Sequence, residues 1–195
     1  DPTPETAALC ERIRVAESVR RHNLPPQPAA FIGRAEEMAA ISRLLAKPDC
    51  RLVTLAGPGG MGKTRLALQV AAGHVNAFLH GVCFVPLAGV TASDPSASLR
   101  TRFLVSAIAQ ALGFSFGRED PKTQLLNYLR EKELLLVLDS FEHLLEGATL
   151  IAEILKAAPD VKIVVTSRAR LNLQLEWVLQ VEGLRGRAIL ESPDW

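Results

Sequence analysis

Short apolar runs that end in glycine, aspartate or serine alternate along this chain with longer stretches in which apolar residues recur every three or four positions. The first rhythm is that of buried strands, the second that of amphipathic helices. RLVTLAG (Arg51 to Gly57), GVCFVPL (Gly81 to Leu87), ELLLVLDS (Glu133 to Ser140), VKIVVTSR (Val161 to Arg168) and WVLQV (Trp177 to Val181) read as strands. The run LLLVL contains no polar residue, which fits a strand covered on both faces. Helical spacing falls on Glu5 to Arg21, through Leu9, Ile13 and Ala16, and on Lys63 to about Ala72. Asp94 with Pro95 resembles an N-cap and first-turn pair, opening a helix with Leu99, Phe103, Leu104, Ile108 and Leu112 on one face. Asp120 with Pro121 opens another, carrying Leu125, Leu126 and Leu129, and a further helix runs to Pro159. Strands alternating with helices of this length predict an α/β fold with a parallel sheet and helices on both sides. In such sheets ligands bind at the carboxyl ends of the strands, so the useful chemistry should cluster there.

Proline refines the boundaries. NLPPQPAA has three prolines in eight residues, and a regular element cannot run through it, because proline fixes φ and removes a donor. This divides the chain into a helix within residues 1–23, a linker at 24–30 and a domain that begins at Phe31. The 195 residues suffice for one domain that buries roughly 70% of its unfolded surface. Lys and Arg (22) nearly balance Asp and Glu (21) and are spread along the chain, so no direct nucleic-acid contact by this domain is expected. Cys10, Cys50 and Cys83 are far apart and lack CxxC spacing, which points to buried, reduced thiols. No segment approaches about 18 uninterrupted apolar residues and the first residues are charged, so a cytoplasmic protein without a membrane segment is expected. His22, His74, His80 and His143 form no metal constellation.

The chemistry concentrates where strands end. GPGGMGKT, Gly57 to Thr64, satisfies G-x-x-x-x-G-K-[ST] in full. A loop that wraps polyphosphate with its own N–H groups needs glycine wherever a Cβ would block approach or φ must be positive, and Gly57, Gly59, Gly60 and Gly62 meet that need. Lys63 at the helix start can reach the β- and γ-phosphates, and Thr64 offers a hydroxyl to Mg²⁺. Asp139 ends LLLVL, a carboxylate delivered to the ligand edge that can hold the same ion, although an apolar strand ending in Asp is also an ordinary helix cap. Arg168 follows KIVVTS and can read a γ-phosphate with its planar fork, or form a surface ion pair. Glu142 could orient or deprotonate a water, or simply favour the dipole of a helix's first turn. Lys63, Asp139, Glu142 and Arg168 are thus the candidate catalytic residues, with Thr64 and Asp139 the metal ligands.

The order FIGRAEE, LVTLAGPGGMGKTRLALQVA, LLLVLDSFEHL and KIVVTSRARLNLQLEWVLQVEGL resembles the STAND class of signal-transduction ATPases, and within it the NB-ARC-like modules of large bacterial transcriptional regulators. The likeness runs from Phe31 to about Leu184. It implies a P-loop NTPase three-layer α/β/α sandwich with a five-stranded parallel sheet of the additional-strand type, over residues 31–185, and ATP or ADP with Mg²⁺ as ligand. Ile32, Gly33 and Arg34 match the segment beside adenine and ribose, Gly57 to Thr64 match Walker A, Asp139 matches Walker B and Arg168 matches the sensor arginine. The nucleotide contacts implied are Ile32, Gly33, Arg34, Gly57, Gly59, Gly60, Met61, Gly62, Lys63, Thr64 and Arg65. DPTPETAALCERIR is similar to the last helix of the activation domain that precedes such modules in SARP-type regulators. The resemblance therefore implies an upstream DNA-binding and activation region, and helical and winged-helix parts with repeats downstream, of which 186–195 would be the start. It also implies nucleotide-dependent self-association. Where plant and animal relatives place a second acid after the Walker B aspartate this chain has Ser140, which implies slow hydrolysis. The expected role is a slowly hydrolysing ATP switch in a transcriptional regulator. The alternative is a P-loop kinase or other metabolic ATP-using enzyme, for which no acceptor signature is present, while the absence of N-K-x-D or T-K-x-D disfavours a GTPase.

Overall fold

A computed structural model of the chain describes residues 22–27, 31–88, 97–183 and 189–191. The helix expected over Glu5 to Arg21 and the Asp94–Pro95 cap lie outside these residues. In chain order the elements are α1 (Ala35–Ala46), β1 (Leu52–Ala56), α2 (Lys63–Gly73), β2 (Val82–Pro86), α3 (Ala97–Ala111), α4 (Pro121–Arg130), β3 (Leu134–Asp139), α5 (Ala148–Ala157), β4 (Val161–Ser167), β5 (Glu176–Gln180) and β6 (Ile189–Glu191). The strands form one sheet in the order β2-β3-β4-β1-β5-β6. The first five are parallel, as the sequence predicts, and β6 adds to β5 in antiparallel register, Leu179 opposite Leu190. Ile189–Glu191, within the 186–195 expected to start a following region, pairs with this sheet through β5.

Alternation along the strands sends successive side chains to opposite faces. Leu134, Leu136 and Leu138 of β3, with Ile163 and Val165 of β4, pack against Leu104, Ile108, Leu125, Leu129, Ile151 and Ile154 of α3, α4 and α5. Leu135, Val137, Val164, Val53 and Leu55 face Ile41 and Leu44 of α1 and Leu66 and Val70 of α2. This is the three-layer sandwich expected. Helix α1 is an element that the opening pattern left unassigned, although Ile41, Leu44 and Leu45 carry the i, i+3, i+4 spacing of a buried stripe. Asp120 caps α4 as expected, its carboxylate accepting from Thr123 N at 2.9 Å. Buried Cys50 and Cys83 are free thiols, each pushed up to about 12 chiefly by burial. Among the described residues no helix is long and apolar enough to cross a membrane.

Two expectations are corrected. Leu99 and Phe103 do not share the buried face of α3. They are 44% and 42% exposed, while Leu104, Val105 and Ile108 are buried. At 3.6 residues per turn, Leu99 stands roughly 175° around the helix from the centre of that stripe. The second correction concerns the chain before the domain. His22 forms a parallel bridge with Val82, and the Asn23 side chain accepts from Phe84 N at 2.6 Å and donates to Phe84 O at 2.7 Å. A carboxamide carries one donor and one acceptor edge, so Asn23 imitates a strand residue and closes the free edge of β2. Residues 22–23 are therefore extended and belong to the sheet, and Leu24, placed in the linker by its prolines, packs against the α1–α2 side of the core. Asn23→Ala should lower stability by about 1–3 kcal/mol, two hydrogen bonds being lost and a strand amide left unpaired. Urea denaturation read by circular dichroism checks this. An unchanged midpoint would mean that the edge is satisfied without Asn23.

Candidate functional site

The carboxyl ends of β1, β3 and β4 bring Gly57, Asp139 and Arg168 to one edge of the sheet. The loop from Gly57 leaves β1 and enters α2, of which Lys63 is the first residue. Gly60 and Gly62 both take φ +77, which turns the loop over the helix N-terminus. The Lys63 ammonium lies inside this curve, donating to Gly57 O and Pro58 O at 2.7 Å each. Burial lowers its proton affinity below the ordinary lysine range and Arg168 adds to this, whereas Glu142 and Asp139 oppose it. Thr64, the next residue, donates its hydroxyl to Asp139 Oδ1 at 2.7 Å. The two oxygens expected to hold a metal thus stand together, and a hydroxyl and a carboxylate are the hard donors that Mg²⁺ takes.

Gly57 takes a positive φ, +155, and has a further reason to be glycine. A Cβ on it would meet Val181 O, the backbone leaving β5, at 2.3 Å. Gly59 lies in the loop beside the Arg168 guanidinium, 3.9 Å from where a Cβ would project.

Glu142 does not open an α-helix. Ser140 takes a left-handed conformation at φ 63, ψ 51, and the chain continues through two 3-10 turns, Phe141–His143 and Leu145–Gly147, before α5. Buried Phe141 anchors the first of these turns in the core under α3 to α5. Glu142 thus stands in the first turn of a three-residue 3-10 helix and not of an α-helix. Its carboxylate pairs with Arg168 Nε at 3.2 Å, Glu142 being largely buried and Arg168 mostly exposed. Arg168 thus forms an ion pair, and its partner Glu142 is another of the four candidate catalytic residues.

On the far side of the loop a cleft of about 300 Å³ is lined by Phe31, Ile32, Arg34, Gly60, Met61, Gly62, Arg65 and Gly183. Ile32 is 83% exposed at its rim, and the Arg65 guanidinium lies over the Phe31 ring, 5.8 Å from its centroid. Arg34, left-handed at φ 61 and preceded by Gly33 at φ 79, donates through Nη2 to Met61 O at 2.8 Å and Glu182 O at 2.9 Å. It also pairs with Glu37 at 3.5 Å. Arg34 therefore ties the loop to the chain leaving β5. Phe31 and Gly183 were not foreseen as lining residues, since an aromatic at a domain start and a glycine after a strand carry no signal of their own.

Thr166 is the other residue not foreseen. It is buried, donates to Asp139 Oδ1 at 2.6 Å and accepts from Ser140 N at 2.9 Å. The signal available was a hydroxyl at the end of an apolar strand, two positions before Arg168.

A parallel sheet with β1 between β4 and β5, a glycine-rich loop entering a helix at Lys63 and Thr64, and an aspartate from β3 against that threonine define a P-loop nucleoside-triphosphatase fold. Within that class, a model of the NB-ARC domain matches residues 34–172, and the chain belongs to the NB-ARC family. A protein of uncharacterised function from Mycobacterium tuberculosis is 36% identical over 182 residues, covering 91% of this chain and 42% of its own length. The transcription activator GutR of Bacillus subtilis is 29% identical over 185 residues, 88% of this chain and 20% of GutR. The chain thus spans less than half the length of these relatives. A STAND protein with a tetratricopeptide repeat sensor from Pyrococcus horikoshii superposes with a TM-score of 0.49 at 18% identity, over 82% of this chain and 24% of that one.

Proposed function

We propose that this chain binds Mg·ATP between the Gly57–Thr64 loop and Arg34, and acts as a slowly hydrolysing nucleotide switch within a longer cytoplasmic transcriptional regulator. The observation that carries the reading is the 2.7 Å contact between Thr64 and Asp139 beside a loop that encloses the Lys63 ammonium. Lys63 would exchange its two carbonyl partners for phosphate oxygens, and Thr64 and Asp139 would hold magnesium, which neutralises phosphate charge when bound. The cleft beside Phe31, Ile32 and Arg34 offers apolar and cationic surface to a base and ribose. The regulatory role is supported by family membership and by the name of the Bacillus relative.

Hydrolysis is expected to be slow, because Ser140 cannot act as a base and the task falls to Glu142, three residues past Asp139. An arginine drawn to a γ-phosphate would leave Glu142, so the pair is suited to register whether the ligand is a triphosphate. Titration calorimetry with ATP, ADP and GTP in Mg²⁺ tests the reading: both adenine nucleotides should bind and GTP should bind less tightly. Turnover should stay below the kinase range of about 1–100 s⁻¹. Glu142→Gln should lower whatever turnover is measured while ATP still binds. Preference for GTP, or turnover within that range, would overturn the proposal.

A further inference from the structure

We infer that Thr166 is a positioning residue for the metal-holding aspartate, a role that rests on the Mg·ATP reading above and extends it. Parallel pairing of β3 with β4 sets Leu138 against Val165, so that one residue further on Asp139 and Thr166 stand side by side on the face covered by α2. The Thr166 hydroxyl has one proton and its direction is fixed by its neighbours. Ser140 N can only donate, so it occupies an acceptor position of Thr166 Oγ1 at 2.9 Å, and the hydroxyl proton goes to Asp139 Oδ1 at 2.6 Å. Thr64 donates to the same oxygen at 2.7 Å. Oδ2 is reached by Ser140 Oγ at the longer distance of 3.5 Å.

Rotation of an aspartate carboxylate about its last torsion is soft, because that torsion joins sp³ to sp² carbon. Pinning Oδ1 therefore sets the plane of the group. Thr64 cannot supply this restraint alone once its own oxygen serves a cation, because it stands half-buried at the start of α2 on the ligand side, while Thr166 sits in the sheet at 1% exposure. The same hydroxyl oxygen also accepts from the backbone N–H of Ser140, the residue that turns the chain through a left-handed conformation. One side chain thus fixes both the acid and the turn that leads to Glu142. Outer partners of metal ligands commonly change metal affinity by roughly 10- to 100-fold when removed.

The experiment measures ATP affinity by calorimetry with Mg²⁺ and again with chelator, alongside direct Mn²⁺ binding to the ATP complex by electron paramagnetic resonance. Thr166→Val keeps shape and removes the hydroxyl. It should reduce the Mg²⁺-dependent gain in ATP affinity and the Mn²⁺ affinity by about tenfold, leaving the chelator value near wild type. Thr166→Ser should restore both, which a role in packing alone would not. Thr166→Ala provides the same readout if the valine variant is unstable. Wild-type Mn²⁺ affinity in the valine or alanine variant, or loss in the serine variant equal to that in valine, would overturn the role of Thr166 alone. A wild-type protein whose ATP affinity ignores Mg²⁺ would overturn the Mg·ATP reading with it.

Discussion

Lys63→Ala should weaken ATP binding by roughly ten- to a hundredfold, the loss of a charge-assisted contact worth about 1.5–3 kcal/mol. The ammonium is nearly buried and stands where two loop carbonyls converge on it at 2.7 Å. No other lysine lies in the loop, and Arg168, the cation nearest in function, is turned to Glu142. Lys63→Arg should not rescue binding. A planar fork of five donors cannot occupy a position shaped by two carbonyls around a compact point charge. Calorimetry with ATP compares the three proteins, and equal affinity for wild type and Lys63→Ala would remove Lys63 from the site.

Gly57→Ala should be among the most destabilising single changes in the domain, at about 3 kcal/mol or more. The chain passes from β1 into the loop at φ +155, and Val181 O occupies the space a Cβ would need, 2.3 Å away. Neither partner can yield cheaply. Val181 N donates to Ala56 O at 2.7 Å and Gly57 N donates to Ser167 O at 3.2 Å, so the exits of β1, β4 and β5 are bonded into one unit. A fall in melting temperature of roughly 6–12 °C is expected for a domain of this size. Gly60→Ala is the control: its φ is also positive, but nothing lies within 4 Å of the added carbon. It should cost only about 1–2 kcal/mol, the price of a left-handed alanine. Should Gly57→Ala melt within a degree or two of wild type, the β5 exit must be free to move and the close packing of the strand ends is not a constraint.

Much of this molecule is legible in its residue pattern because the signals are local. A strand covered on both faces must be apolar throughout, and LLLVL of β3 is buried along its whole length. A loop that turns over a helix N-terminus needs glycine, and GPGGMGKT announces both the loop and the lysine that follows it. Asp120 with Pro121 names its cap from four residues. Where local signals conflict, the pattern misleads. Leu99 and Phe103 looked like core because they are large and apolar, yet the stripe of α3 that meets the sheet is set by Leu104, Val105 and Ile108.

What only the tertiary structure decided are relations between residues far apart in the chain. Sheet order is one: β1 lies between β4 and β5, and only that adjacency sets Val181 against Gly57. The pairing of β3 with β4 is another, since it carries Thr166 to Asp139 across 27 positions of sequence. The Arg168–Glu142 pair, which turns two separate candidate catalytic residues into one linked unit, depends on the left-handed turn at Ser140, a conformation to which serine gives no sequence signal. Asn23 is a fourth case: prolines around it say linker, and only the open edge of β2 makes its carboxamide a strand partner. The sequence by itself determined the fold class, the phosphate loop and the acid, because glycine, lysine and an apolar run ending in aspartate carry their physical reasons in their own side chains. Hydrogen-bond partners, register and the reason for Gly57 are properties of pairs, and pairs exist only after the chain has folded.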